Sequence, residues 1–127
     1  MRRSALIAVC VALLAGCGGE ETVSPTGPVE GTVPKQEPGN PAAGKAVYTD
    51  AGCGACHTFE AAGSTGKTGP NLDQSLQGKD EDYVREAIVD PDAEIASGFQ
   101  PGIMPKNYGQ QLDSKQIADL VAFLTSK

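Results

Sequence analysis

Cys53-Gly54-Ala55-Cys56-His57 is the stretch of this sequence from which the fold can be worked out. Its two cysteines are three positions apart, which puts both thiols on a single turn of the chain, and a histidine follows the second cysteine directly. His57 is the only histidine among the 127 residues, so no second imidazole is available to act with it. Two thiols and an imidazole on one turn point to the binding of a metal or of a metal-containing cofactor.

The pattern C-x-x-C-H is the attachment signature of c-type haem. Each thiol can form a thioether with one haem vinyl group, and the imidazole that follows can then bind the iron. Two other interpretations fit less well. A thioredoxin-like redox pair expects a βαβ context that this sequence lacks, and a structural zinc site expects four ligands where this stretch supplies three. We therefore expect one covalently attached haem c, held by Cys53, Cys56 and His57, with His57 as an iron ligand.

A second iron ligand is predicted at Met104, which lies 47 residues after His57 in the stretch Gly102-Ile103-Met104-Pro105. Methionine is more often a gap-filler in a core, but this one lies among glycine and proline residues and is the only methionine after Met1. A thioether opposite the imidazole favours ferrous iron and raises the reduction potential. With both positions filled, the iron can exchange electrons but cannot bind a substrate. A gas sensor or a peroxidase with an open iron would require Met104 to be off the iron.

Helical periodicity is present in three stretches, 41–51, 80–89 and 114–125. Asp113 and Gln116, at the start of the third stretch, form a capping-box-like pair. The residues predicted to face inward from the three helices are Gly44, Val47, Tyr48 and Ala51, then Tyr83, Val84, Ala87 and Ile88, and finally Ile117, Leu120, Val121 and Leu124.

The segments 58–79 and 90–112 are predicted to be loops, because they contain turn signals such as Gly69-Pro70-Asn71. No stretch alternates convincingly as a strand. The chain has three tyrosines, three phenylalanines and no tryptophan. A domain of this size with so few aromatic residues has a small apolar core and needs further stabilisation, for example by a bound cofactor. The sequence therefore predicts a small all-α fold with its helices wrapped around one haem.

The order of these features resembles class I, mono-haem cytochrome c over residues 42–127. The features that carry the resemblance are, in chain order, Gly44 and Tyr48, the C-x-x-C-H motif, Gly69-Pro70-Asn71-Leu72, Met104, and Leu120 with Phe123. The resemblance implies that the first and last helices cross closely, with Gly44 allowing Leu120 and Phe123 to approach. It also implies that the carbonyl of Pro70 accepts the Nδ1 proton of His57, a bond that would fix the ring and tune the iron.

The second half of the chain resembles, more narrowly, the cytochrome c domain fused to subunit II of some haem–copper oxidases. The stretches that carry this resemblance are DEDYVREAIVDPDAEIASGF at 80–99, IMP at 103–105 and DSKQIADLVAFL at 113–124. The copper domain and the transmembrane hairpin of that subunit have no counterpart in this sequence. The resemblance implies a free-standing relative with a respiratory partner, either a terminal haem–copper oxidase or a quinol-oxidising complex.

Residues 1–16 are predicted to be a lipoprotein signal peptide that is cleaved before Cys17. Arg2 and Arg3 precede an apolar run of 11 residues, which is shorter than the roughly 20 residues that a helix needs to span a bilayer. The end of the run, Leu14-Ala15-Gly16-Cys17, resembles a lipobox. The resemblance implies a diacylglyceryl group on the Cys17 sulfur, and two acyl chains make a stable membrane anchor.

Residues 17–41 are expected to form a flexible tether between this lipid anchor and a cytochrome c domain at 42–127. The segment after Cys17 is rich in glycine, proline and glutamate and has no aromatic residue, so it cannot bury enough apolar surface to fold. The expected location is therefore outside the cytoplasm, on the periplasmic side or the outer face of the cytoplasmic membrane.

The charge of the chain bears on its partners. With 10 basic and 16 acidic residues the net charge is −6, which argues against nucleic acid and against electrostatic adhesion to anionic lipid. We expect an electron-transfer protein rather than an enzyme, with redox proteins as partners and no small-molecule substrate. A fixed haem subunit of a larger redox complex is the alternative to a mobile carrier. Asn107 and Tyr108 are candidates for bonding a haem propionate or orienting the ligand.

Overall fold

The computed structural model describes residues 38–126. The α-helices in this part of the chain are α1 (Pro41–Asp50), α2 (Leu72–Ser75), α3 (Glu81–Val89), α4 (Tyr108–Gln111) and α5 (Ser114–Thr125). Two 3₁₀ turns, Cys53–Ala55 and Glu60–Ala62, and an antiparallel pair of short strands, β1 (Thr58–Phe59) and β2 (Ser64–Thr65), lie between α1 and α2. The predicted signal peptide, Cys17 and the tether up to residue 37 lie outside the described residues. No helix within residues 38–126 is both long and apolar enough to span a membrane.

The helices predicted from periodicity are confirmed, and the first two begin where a side chain caps them. The Asn40 side-chain oxygen accepts hydrogen bonds from the N–H groups of Ala42 and Ala43, at 2.9 and 3.3 Å. The Asp80 carboxylate accepts from the N–H of Tyr83 at 2.8 Å. The first turn of a helix leaves its N–H groups without backbone partners, so these side chains fix where α1 and α3 start.

The last helix, α5, begins with the capping box predicted from the sequence. Asp113 Oδ1 accepts from the N–H of Gln116 at 2.8 Å, and Gln116 Oε1 accepts from the N–H of Asp113 at 2.9 Å. The four residues predicted to face inward are all buried: Ile117, Leu120, Val121 and Leu124. This helix is therefore specified both by its cap and by its apolar stripe.

The prediction that 58–79 and 90–112 are loops without strands is wrong in detail. The first segment contains β1, β2 and α2, and the second contains α4. Two-residue strands and four-residue helices are shorter than the repeats by which periodicity is recognised, so these elements leave no recognisable pattern. The described part of the chain is nevertheless mostly helical, which confirms the predicted fold class.

Helices α1 and α5 cross in direct contact at Gly44. A Cβ atom added to Gly44 would lie 1.9 Å from the carbonyl oxygen of Asp119 and 2.7 Å from Cβ of Phe123. The close crossing implied by the resemblance is therefore confirmed, and so is the approach of Phe123. The nearest backbone belongs to Asp119 rather than to Leu120.

Three aromatic rings pack together beside this crossing. Tyr48 and Phe59 have ring centroids 5.9 Å apart, and Phe123 lies 5.9 Å from Tyr48 and 5.4 Å from Phe59. All three residues are buried, and the Tyr48 hydroxyl shares a 2.9 Å hydrogen bond with that of Ser64. Tilted and edge-on rings at these distances attract one another beyond the burial of their area. The cluster therefore joins α1, α5 and the small sheet.

Buried Asp119 ties the start of the domain to α5. Its Oδ1 accepts from the N–H of Asn40 at 2.6 Å and pairs with the Lys115 ammonium. Lys115, with the N–H of Asn40, holds the pKa of Asp119 below its usual range, so this carboxylate is charged at neutral pH. Gly39 packs so tightly that an added Cβ would lie 2.0 Å from a backbone carbonyl oxygen of α5. Residues 39–41 therefore belong to the domain, although they were predicted to be tether, and α1 begins at Pro41.

We expect Gly44→Ala to lower the free energy of unfolding by about 1–3 kcal/mol, because the added methyl group overlaps a backbone carbonyl and forces the helices apart. Urea unfolding of the haem-loaded protein measures the change. Gly109→Ala is the matched control, since its Cβ would meet only Val89, at 3.6 Å. Equal stability of the two variants would contradict the close crossing.

Candidate haem site

The stretch from Cys53 to His57 forms one tight turn directly after α1. Gly52 opens it with left-handed backbone, φ 72°, a conformation that residues with a Cβ rarely adopt. The N–H groups of Cys56 and His57 both donate to the carbonyl oxygen of Cys53, at 3.2 and 3.0 Å. The turn therefore holds the two thiols and the imidazole together.

The segment 66–70 packs directly against this turn. The N–H of Gly69 donates to the carbonyl oxygen of Cys56 at 2.8 Å. A Cβ added to Gly66 would lie 2.6 Å from the carbonyl carbon of Cys56, and one added to Gly69 would lie 2.6 Å from Cε1 of His57. Both positions therefore require glycine. The sequence marked Gly69 only as part of a turn, because contact with a distant ring leaves no local pattern.

A backbone carbonyl holds the His57 ring. Nδ1 of His57 lies 2.8 Å from the carbonyl oxygen of Pro70. Because a carbonyl oxygen can only accept, Nδ1 carries a proton, and in the neutral tautomer that this bond selects Nε2 has the lone pair that a metal ion requires. The bond that the resemblance implied is thus present in the structure, and it fixes the orientation of the ring.

A cleft with a volume of about 180 Å³ opens beside the turn. The residues predicted to contact the cofactor all line it: Cys53, Cys56, His57, Pro70, Met104 and Tyr108. Most of the remaining wall is apolar, from α2, α3, α5 and the segment before Met104, and includes Leu76, Val84, Ile88, Ile95, Phe99, Leu120 and Leu124. The fold therefore brings His57 and Met104 to one cavity from positions 47 residues apart in the chain.

The environment of the cysteines differs from that of a redox-active pair. Cys53 and Cys56 form no disulfide with each other, and both are partly buried. Burial raises the pKa of the Cys53 thiol above its usual value, whereas reactive cysteine pairs have lowered thiol pKa values. Within residues 38–126, no three His, Cys, Asp or Glu side chains gather into a metal site. Neither a thioredoxin-like pair nor a zinc site made of these residues alone is therefore favoured.

Of the two candidates just after the predicted ligand, only Tyr108 lines the cleft. Its hydroxyl donates to the carbonyl oxygen of Ala51 at 3.4 Å, and burial raises its pKa. Asn107 is exposed and precedes α4 without capping it by its side chain. Contact with a propionate, or orientation of the ligand, stays a prediction for both residues.

Ser75, on α2, is a cleft residue that the sequence did not single out. Its Oγ is buried and has no hydrogen-bond partner among the described residues. A bound cofactor or an ordered water is what commonly explains such a group in a native protein. A serine inside a predicted loop carries no pattern that would have marked it in advance.

These features fit a haem. Apolar walls suit a flat macrocycle, and two thiols on one turn suit its two vinyl groups. The Nε2 atom of His57 is available for iron because Nδ1 is engaged by Pro70. Met104 adds a soft thioether to the same cavity.

We expect the haem-free protein to be largely unfolded, because a domain this small and poor in aromatic rings buries little apolar surface by itself and would lose the burial that the haem contributes. Cys53→Ser combined with Cys56→Ser prevents covalent attachment, and far-UV circular dichroism measures the remaining helix. Most of the helical signal of the haem-loaded protein should be lost. Near-native helix content in the haem-free variant would contradict this expectation.

We expect Gly69→Ala to turn the His57 ring away from Pro70, since the new methyl group would overlap the ring. Loss of the hydrogen bond, which contributes about 1 kcal/mol net, should speed solvent exchange of the Nδ1 proton roughly fivefold or more. NMR of the reduced, haem-loaded protein measures this exchange, with Gly109→Ala as the control. An unchanged exchange rate in Gly69→Ala would show that the contact does not constrain the ring.

Comparison with known proteins agrees with the site. The family model described as Cytochrome c matches residues 41–127, which include every residue of the site described above. Comparison with curated proteins gives no match. Members of this family bind covalently attached haem c, whose iron makes electron transfer possible. Because the match spans most of the chain and the cleft contains the features that such a cofactor needs, this chain belongs to the cytochrome c family.

Proposed function

We propose that this protein is a membrane-tethered mono-haem cytochrome that passes single electrons along a respiratory chain. Its partner in this proposal is a terminal haem–copper oxidase or a quinol-oxidising complex. The family match supports electron transfer through haem. The observation that carries the proposal further is the shared cleft of His57 and Met104, because imidazole with thioether is the ligand pair of electron-carrying cytochromes c.

Each site residue has a distinct role in the proposal. Cys53 and Cys56 would hold the cofactor through thioethers, and His57 would bind the iron through Nε2. When bound, haem supplies a one-electron ferric–ferrous couple. The hydrogen bond from Nδ1 to Pro70 makes the imidazole a stronger donor, whereas the sulfur of Met104 favours the ferrous state. The two ligands thus act on the potential in opposite directions.

Binding of the iron by both His57 and Met104 would favour a carrier over a catalyst. An iron that already has two protein ligands has no site for oxygen, peroxide or another substrate. Met104 is partly buried on the cleft wall. The proposal therefore assigns no catalytic residue.

The charge of the domain supports a partner with a basic docking patch. Residues 38–126 contain 12 acidic and 6 basic residues. Glu81, Asp82 and Glu86 are exposed on α3, whose buried residues Val84 and Ile88 line the cleft. Opposite charges speed the encounter of two proteins, and salt weakens that effect. A small, short-lived interface of the kind used for electron transfer needs no large apolar surface.

The membrane part of the proposal rests on the sequence alone. Cys17 is the proposed lipidation site, after cleavage of residues 1–16, and it would keep the domain at the outer face of the cytoplasmic membrane or on the periplasmic side. The roughly 20 residues between Cys17 and Gly39 would separate the lipid from the folded domain.

We expect Met104→Ala to open the iron. The ferric protein should lose the low-spin spectrum of methionine-ligated haem, and the reduced protein should bind carbon monoxide roughly a hundredfold faster or more, because no side chain then competes for the position. Absorption spectra and stopped-flow mixing with carbon monoxide at neutral pH provide the measurements.

The neighbouring substitution Ile103→Ala is the control for this experiment. Ile103 lies on the same loop and is 58% exposed, so its loss should leave both readouts close to those of the wild type. A low-spin spectrum that persists in Met104→Ala would show that another group binds the iron. Rapid carbon monoxide binding by the reduced wild type would favour an open-iron sensor or peroxidase instead.

A further inference from the structure

The methionine loop, residues 100–106, has very little hydrogen bonding of its own. Among the described residues its backbone makes one hydrogen bond, in which the N–H of Gly102 donates to Asp92 Oδ1 at 2.9 Å. Pro101 and Pro105 have no N–H to donate, and Gly102 adopts left-handed backbone with φ 76°. A segment with so few hydrogen bonds is readily displaced unless something outside it holds it.

The same carboxylate makes a second contact with this loop. Its other oxygen, Oδ2, pairs with the ammonium group of Lys106. Gly102 precedes Met104 by two residues and Lys106 follows it by two. The two oxygens of Asp92 therefore contact the chain on both sides of the methionine.

Asp92 is well placed to hold a loop, because it is itself attached to the core. It follows buried Pro91, just after α3, and its side chain is only 21% exposed. The Lys106 ammonium and the N–H of Gly102 hold the pKa of Asp92 below its usual range. The carboxylate is therefore charged at neutral pH, where both contacts can form together.

We infer that Asp92 is a positioning residue for Met104: its carboxylate clamps the methionine loop at Gly102 and Lys106 and so keeps the thioether on the cleft. The inference rests on the proposed ligation of iron by Met104 and names the side chain that maintains it. Without the clamp, the loop opens more often and the methionine leaves the iron for a larger fraction of the time.

A second acidic residue of the same segment provides a matched control. Glu94 Oε1 accepts from the Tyr83 hydroxyl at 3.3 Å and pairs with the Lys79 ammonium at 3.5 Å. Neither partner belongs to the methionine loop. Glu94→Gln therefore removes the same charge from the same segment, and breaks an ion pair, without releasing the loop.

The test is a titration of the ferric, haem-loaded protein with imidazole at neutral pH. Imidazole competes with Met104 for the iron. The apparent dissociation constant of imidazole therefore depends on the fraction of molecules in which the methionine is not bound to the iron. We expect imidazole to bind Asp92→Ala about tenfold more tightly than the wild type, since an ionic hydrogen bond and an ion pair are lost together. Asp92→Asn keeps an oxygen that can accept from the N–H of Gly102 but loses the charge that pairs with Lys106. Its affinity for imidazole should be about threefold higher than that of the wild type. Glu94→Gln should stay within about twofold of the wild type.

The absorption band of methionine-ligated ferric haem is recorded for every variant. If the wild type shows the band and imidazole binds Asp92→Ala no more tightly than Glu94→Gln, the inference is overturned while the ligation stands. If the wild type lacks the band, the proposed ligation itself fails. Should Asp92→Ala yield no haem-loaded protein, the same titration is carried out on Asp92→Asn and Lys106→Gln. If both variants bind imidazole with the affinity of the wild type, the inference that Asp92 holds the methionine loop is overturned.

Discussion

The core of this domain and the wall of its cofactor cleft are largely the same side chains, and the rest of the structure depends on that constraint. Val84 and Ile88 of α3 and Leu120 and Leu124 of α5 are buried, and all four also line the cleft. An apolar group between the helices would therefore extend this packing on the side of the cleft. In a chain with so few aromatic residues, we expect a covalently held cofactor to supply the missing part of the core and to couple folding to cofactor attachment.

The two proposed iron ligands are held by different means. His57 lies on a tight turn, where Gly69 packs on its ring and the carbonyl of Pro70 accepts its Nδ1 proton. Met104 lies on a loop with almost no hydrogen bonds of its own, and the contacts of Asp92 are what attach that loop. The histidine side is thus built into the backbone, whereas the methionine side depends on one side chain. If one of the two ligands exchanges in this protein, we expect it to be Met104 rather than His57.

Local sequence patterns predicted the three longer helices, α1, α3 and α5, and the chemistry of the site, but not the contacts that connect distant segments. The apolar stripe and capping box of α5 are complete within its own residues, and C-x-x-C-H carries its function in five consecutive positions. The pairing of β1 with β2 is too short to form a pattern. Two other contacts join segments that are distant in sequence: Gly69 packs on His57, and Asp92 accepts a hydrogen bond from Gly102. No local pattern in either segment predicts such a contact. The hydrogen bond to Pro70 was foreseen only through the resemblance to a family.

The site and the proposed function both depend on covalent attachment of haem at the C-x-x-C-H turn, and peptide mass analysis tests this attachment most directly. Protein matured in a host able to attach haem is denatured and digested with trypsin, which cleaves after Lys45 and Lys67 and releases the peptide 46–67 with both site cysteines. We expect this peptide to carry the mass of one haem through thioethers at Cys53 and Cys56. A peptide of unmodified mass with two free thiols would contradict it.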